Sequence, residues 1–151
     1  MIRDPAVTSR IMASIGNRDT GPELLLRREL HRRGLRYRVH TRLPGKPDLV
    51  FAGPRVAVFV DGDYWHGNTW RLRGHSSFDA YFDTVTNGDF WRAKIGGNIK
   101  RDQHVSALLT ADGWQVIRLW ESTLRRAVDP CADSIELAIR RTQRSAMGTA
   151  S

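Results

Sequence analysis

Two aspartates and a histidine fall within one stretch, PDLVFAGPRVAVFVDGDYWH, as Asp48, Asp61 and His66. Hydrolysis of a phosphodiester needs a nucleophilic water and relief of the charge that builds on phosphate, and a divalent cation supplies both. Mg2+ takes one or two carboxylates and leaves its other positions to water and phosphate oxygens. Asp48 and Asp61 are residues of that type, with the backbone oxygen of Val60 between them. His66 is a candidate to take the proton from the attacking water. An acid pair alone is a modest signal, because many sheets end in acids. A lone histidine after Tyr64 and Trp65 is by default structural. The combination on a basic chain puts a metal-dependent nuclease ahead of other readings.

The acids converge only if the segments between them pair. Residues 48–52 and 55–60 are two apolar runs separated by Gly53-Pro54, which reads as an antiparallel hairpin with both acids at one sheet end. The second run is almost wholly apolar, as a central strand buried on both faces should be. Residues 35–40 alternate, with Arg36, Arg38 and His40 on one side, and are expected to add a strand; residues 114–120, WQVIRLW, are expected to add another.

Helices must flank this sheet. Thr20 can cap a helix running to about residue 33, with Pro22 in its first turn, Glu23 at the capping-box position and Gly34 as its stop. On residues alone Glu23 is a cap, and Arg27, Arg28, Arg32 and Arg33 make a solvated basic face. A long helix is expected over 90–112, capped by Thr86, Asn87 or Asp89. Trp91, Ile95, Asn98 or Ile99, Asp102, Val105 and Leu109 share one face of it. Asn98 and Asp102 interrupt that apolar stripe, either at its edge or because they face a cleft. Burying them costs free energy unless both are hydrogen-bonded. Lys94, Lys100 and Arg101 lie close by and suit phosphates. A short helix at 121–127 and an amphipathic one at 132–144 complete the chain, and 67–87 reads as a loop with at most one short helix. The sum is a small mixed α/β domain. Residues 1–16 are expected to be an N-terminal arm, 17–146 a single domain and 147–151 a disordered tail.

Composition bounds the partner. The formal charge is +8, and 16 acids remain among 24 basic residues, so the excess is not merely a basic tail. A compact domain this basic fits a polyanion, most simply nucleic acid. One cysteine, Cys131, excludes an internal disulfide and a cysteine-rich zinc cluster, and it fits a reducing cytoplasm. No signal-like N-terminal segment and no bilayer-spanning apolar run is evident.

Taken in order, Arg18-Asp19-Thr20 with Glu23, LPGKPD at 43–48, VFVDGDYWHG at 58–67, Phe90-Trp91 with Lys94-Ile95, Asn98 and Arg101-Asp102, and Gly113-Trp114 through Trp120-Glu121 resemble the very short patch repair (Vsr-type) endonucleases. The resemblance spans 8–124. It implies a restriction-endonuclease-like fold, a variant of the PD-(D/E)xK superfamily. It also implies Mg2+-dependent nicking of double-stranded DNA beside the thymine of a T·G mismatch left by deamination of 5-methylcytosine. By resemblance Asp48 is the magnesium-binding aspartate, His66 the catalytic histidine and Glu23 the acid of the first helix. Val60 matches a position whose backbone oxygen meets metal. Asp61 matches an active-site position held by histidine in the best-known member, and here its carboxylate is expected to ligate metal. Tyr64, Trp65 and Trp91 match aromatics that wedge into DNA, and Met12 a side chain that enters from the other groove. Unstacking costs a few kcal/mol per step and less at a mismatch, which is a route to selectivity. Lys94, Asn98 and Arg101 are expected to contact DNA. A monomer acting in the cytoplasm on the nucleoid, with a functional link to a cytosine-5 DNA methyltransferase, is implied.

One departure is systematic. Familiar members hold a structural zinc through cysteines and a histidine, whereas the matching positions here are Asp63, Asn68, Trp70 and Ser122. A zinc-free branch is expected, with the loop held another way. Two alternatives stand beside this reading: a nuclease of the same fold acting on other modified or distorted DNA in restriction or defence, and a protein that binds DNA distortions without cutting.

Overall fold

The β2 strand, Val56–Asp61, is the centre of the molecule, and alternate residues on it feed two different cores. The computed structural model describes residues 20–149; the expected arm at 1–16, and Met12 with it, lie outside them. Strand β1, Leu49–Phe51, pairs with β2 antiparallel, and β3, Gln115–Trp120, pairs with it parallel, giving the order β1-β2-β3. Val56 and Val58 join Leu49 and Phe51 in a core against helix α1, Gly21–Arg32, and the C-terminal helices α5, Glu121–Arg126, and α6, Val128–Thr149. Ala57 and Phe59 face the other way, onto Leu109 of helix α4, Gly88–Ala111. Each fully buried valine of β2 contributes about 1.5–3 kcal/mol, so a one-residue slip of register is strongly disfavoured.

A third cluster of Tyr81, Phe82, Trp91 and Ile95 lies apart from the sheet. It joins α4 to two short helices, α2, Thr69–Leu72, and α3, Phe78–Asp83, which form in the stretch expected to be mostly loop. Arg92 ties α3 to α4 through Asp79, Asp83 and Asp89.

The expected strand at 35–40 reduces to a single bridge, in which Arg38 and Val50 exchange both backbone hydrogen bonds. The cause is local. His40 takes a left-handed conformation, φ +57°, which ends extended pairing. Arg33, expected on a solvated face, is instead a clip: it bonds Glu29 on its own helix and Asp133 on α6 at 2.7 Å. The last helix starts before Pro130, where proline is tolerated in a first turn, and runs into the stretch expected to be a tail. Among the described residues no helix is long and apolar enough to cross a membrane.

Candidate active site

The cleft lies where the C-terminal end of β2 meets the N-terminal approach to β1. The antiparallel pairing carries Asp48, one residue before β1, to the same end of the sheet as Asp61, the last residue of β2. Asp48 accepts a hydrogen bond from the backbone N–H of Val60 at 2.7 Å. Glu23 reaches the cleft from α1. Thr20 caps that helix as expected, accepting from the Glu23 backbone N–H. The Glu23 side chain is only 2 % exposed, hydrogen-bonds with Asp48 and pairs with Arg27. Burial, and then this carboxyl–carboxyl bond, push the Asp48 carboxyl well above its usual range. Two buried carboxyls this close must share a proton or a cation.

The other wall comes from the loop after β2 and from α4. His66 Nδ1 is 2.5 Å from Asp102 Oδ2 and 3.8 Å from Asp61 Oδ1. A carboxylate accepts only, so Nδ1 carries the hydrogen and Nε2 is left as the basic nitrogen. Burial opposes charging His66, but the bond to Asp102 and the charges of Asp61 and Asp102 outweigh it and raise its pKa. Asp61 is also raised, by burial, against the pull of His66 and Arg118. An imidazole oriented by a third group in this way is the kind of arrangement that nucleophile activation uses. Asp102 faces the cleft rather than the edge of the α4 stripe.

Arg118 was not a sequence candidate. The parallel register pairs it with Phe59, and it lies over that ring at 4.0 Å on the α4 side of the sheet. Its Nη1 is 3.2 Å from both oxygens of Asp61. The available signal was one cation inside the apolar strand WQVIRLW; what it pairs with depends on a register that sequence does not reveal. Glu121 and Arg27 also line the cleft, whose volume is about 530 Å3.

The remaining candidates divide. Lys94 and Arg101 are exposed on the rim, as phosphate contacts would be. Asn98 donates its amide to the Trp65 carbonyl at 3.0 Å, so in this structure it braces the loop. Tyr64 and Trp65 are half-buried and pack edge-to-face with each other and with Trp91. Trp91, expected among the wedging aromatics, is 5 % exposed and belongs to the third core. The surface open to a base stack is that of Tyr64 and Trp65.

The loop carrying them is pinned by hydrogen bonds. Asp63 Oδ1 accepts from Asn68 Nδ2 at 2.8 Å and from Ser122 Oγ at 2.6 Å, and its Oδ2 accepts from the Ser122 backbone N–H at 3.0 Å. Asn68 is buried, and its own carbonyl accepts from Arg71, which lies over the Trp70 ring at 4.4 Å. Three of the four positions that depart from the zinc-binding pattern are therefore bonded to one another, and the fourth packs alongside.

A family model described as DNA mismatch endonuclease Vsr matches residues 2–72. The Type II nicking enzyme V.NmeDIP of Neisseria meningitidis serogroup C is 37% identical over 140 residues, which cover 92% of this chain and 90% of that protein. V.HpaIIP of Haemophilus parainfluenzae, also a Type II nicking enzyme, is 38% identical over 128 residues, covering 84% and 86%. The DNA mismatch endonuclease Vsr of Escherichia coli (strain K12) is 35% identical over 125 residues, covering 82% and 75%. With the carboxylates, histidine and aromatic loop brought to one cleft, these likenesses establish that the chain belongs to the Vsr family of DNA endonucleases.

Proposed function

We propose that this protein is a Mg2+-dependent endonuclease that nicks one strand of duplex DNA at T·G mismatches arising from 5-methylcytosine deamination. The observation that carries the chemistry is the convergence of Asp48 and Asp61 at one sheet end opposite the His66–Asp102 pair. The buried Glu23–Asp48 carboxyl pair fits a cation, and an all-oxygen donor set favours Mg2+ over softer metals. Asp48, Asp61 and the Val60 backbone oxygen are the groups proposed to hold it. When bound, Mg2+ would polarise the phosphate and offset its developing charge. His66 Nε2 takes the proton of the attacking water, and Asp102 fixes the ring through Nδ1. Lys94 and Arg101 hold flanking phosphates, and Tyr64 and Trp65 stack at the opened step. A restriction-endonuclease-like fold suits the hairpin and parallel third strand. Single-strand cutting needs one site, so a monomer suffices. The proposed setting is the cytoplasm, linked to a cytosine-5 methyltransferase and without structural zinc.

The test uses end-labelled duplexes with Mg2+. One set carries T·G in varied flanks, and the other is fully paired with and without 5-methylcytosine. A nick confined to T·G duplexes supports the proposal. Cleavage only of paired or methylated DNA moves the activity to restriction or defence. Binding without cleavage of any duplex refutes catalysis. Asp48→Ala is expected to abolish nicking and retain DNA binding; full activity in that variant sinks the site assignment.

A further inference from the structure

Asp61, His66 and Asp102 bring three potential ligand atoms within 4.8 Å of one another, a grouping able to hold a metal ion. It lies beside the Asp48 carboxyl and would make the cleft a two-metal site. The side chains around it argue otherwise.

Arg118 already serves this cluster. Its Nη1 donates to both oxygens of Asp61 and lies 3.7 Å from Asp102 Oδ1. Its Nη2 donates to the Asp102 backbone oxygen at 3.2 Å, and its Nε to Ser106 Oγ at 2.9 Å. The Phe59 ring supports the guanidinium from below at 4.0 Å. Each nitrogen of the planar group thus has a partner, and one face of the plane has an aromatic. The one His66 nitrogen turned toward the two carboxylates carries the hydrogen given to Asp102. A second dication would have to displace this hydrogen bond and stand beside a fixed positive charge. The Asp48 side differs: its carboxyl bonds the Val60 N–H and a second carboxyl, Glu23, and the guanidinium on that side, Arg27, pairs with Glu23.

The geometry assigns to Arg118 the role of a built-in cation that occupies the Asp61–His66–Asp102 cluster in place of a second metal ion, so that the enzyme works with one divalent ion, held by Asp48 and by the Asp61 lone pairs that Arg118 leaves free. Arg118 is a positioning residue: it holds Asp61 and Asp102, and through Asp102 it holds the His66 ring. Arginine suits this better than lysine, because a planar fork serves several acceptors at once while an ammonium is a point charge. The inference rests on the endonuclease reading only for the ion at Asp48.

The test counts Mn2+ bound to the full-length protein by electron paramagnetic resonance, alongside nicking kinetics. The native protein is expected to bind one Mn2+, lost in Asp48→Ala and kept in Asp102→Asn. Arg118→Met is expected to bind two. Its kcat should fall by about 10- to 100-fold, the scale of a misplaced catalytic group, with KM little changed. Arg118→Lys should return the count to one and recover part of kcat. Should circular dichroism show Arg118→Met unfolded, the count in native protein, Asp102→Asn and Arg118→Lys decides. Two ions in the native protein, one of them lost in Asp102→Asn, overturns the assignment and leaves the endonuclease reading standing. One ion in both native protein and Arg118→Met also overturns it. No ion in the native protein and one in Arg118→Met supports Arg118 while sinking the metal-dependent reading; none in either overturns both.

Discussion

Replacing Asp63 with alanine removes three hydrogen bonds at once, from Asn68 Nδ2, Ser122 Oγ and the Ser122 backbone N–H. The costs differ by site. Asn68 is 5 % exposed, so its amide is left without a replacement partner, at about 1–3 kcal/mol for a buried donor. Ser122 is half-exposed, and water recovers much of what it loses. The sum is about 2–4 kcal/mol. At about 2–4 °C per kcal/mol for a chain of this size, the melting temperature should fall by about 5–15 °C. Ser122→Ala leaves the backbone donor and Asn68 in place, so its effect should be under half as large. Nicking should fall with the melting temperature in Asp63→Ala, because the loop carries Tyr64, Trp65 and His66. Adding Zn2+ or a zinc chelator should leave the native melting curve unchanged, since the pin has oxygen and amide groups but no thiol or imidazole. Thermal unfolding by circular dichroism and nicking of T·G duplexes are the assays. A melting temperature within about 2 °C of native, with native nicking, would refute the claim that Asp63 holds the loop.

Three further outcomes are expected. Asp102→Asn removes the charge from a hydrogen bond worth about 1.5–3 kcal/mol; with Asp102 and His66 both partly exposed, kcat should fall by about 10- to 100-fold with KM near native. An unchanged kcat would separate His66 from Asp102. Burial raises the carboxyls of Asp48, Asp61 and Glu121, and His66 is raised by its acidic partners. Groups with raised folded values lend stability that is full below their unfolded values and lost as pH rises through the folded ones. The metal-free protein should therefore melt lower at about pH 8.5 than at about pH 6, and Mg2+ should recover more at the higher pH. Equal Mg2+ shifts at both would detach the ion from this cluster. Gly67 has φ +84°, and a Cβ there would meet Ile99 Cδ1 at 2.5 Å. Gly67→Ala should thus cost about 1–3 kcal/mol and lower nicking through its neighbour His66; a native melt and native rate would show that the turn is free to shift.

What sequence revealed of the site is what local rules determine. The turn at Gly53-Pro54 between two apolar runs was enough to bring Asp48 and Asp61 to one sheet end, because an antiparallel hairpin allows little else. Thr20 as cap was likewise local, though the Glu23 side chain turned from the cap toward Asp48. Helical spacing put Asp102 on the apolar face of its helix and left open whether it lay at the edge or faced a cleft; its partner is 36 positions away and no periodicity names it. Arg118 depended on the parallel register of β3, a long-range fact. The lost strand at 35–40 turned on one backbone angle at His40, a residue that alternation treats like any other polar one. Trp91 lay on the apolar face by spacing and matched a wedging aromatic by resemblance; in the fold it is buried, packed edge-to-face against Tyr64 and Trp65. The hydrogen bonds that hold the loop through Asp63 include two to Ser122, far away in sequence, and the sequence offered for them only the absence of thiols and imidazole at four positions.

The cleft is closed by groups drawn from α1, both ends of the hairpin, the loop, α4 and finally β3. During synthesis the N-terminal parts emerge first, so Glu23, Asp48, Asp61 and His66 leave the ribosome before the strand that aligns them. Until Arg118 arrives, Asp61 and Asp102 have no guanidinium between them, and β2 lacks the neighbour on its parallel side. A nascent chain therefore carries the candidate catalytic residues before their folded arrangement exists, and that arrangement comes only with nearly the whole fold. For an enzyme that cuts DNA, the order of the elements along the chain is itself a safeguard.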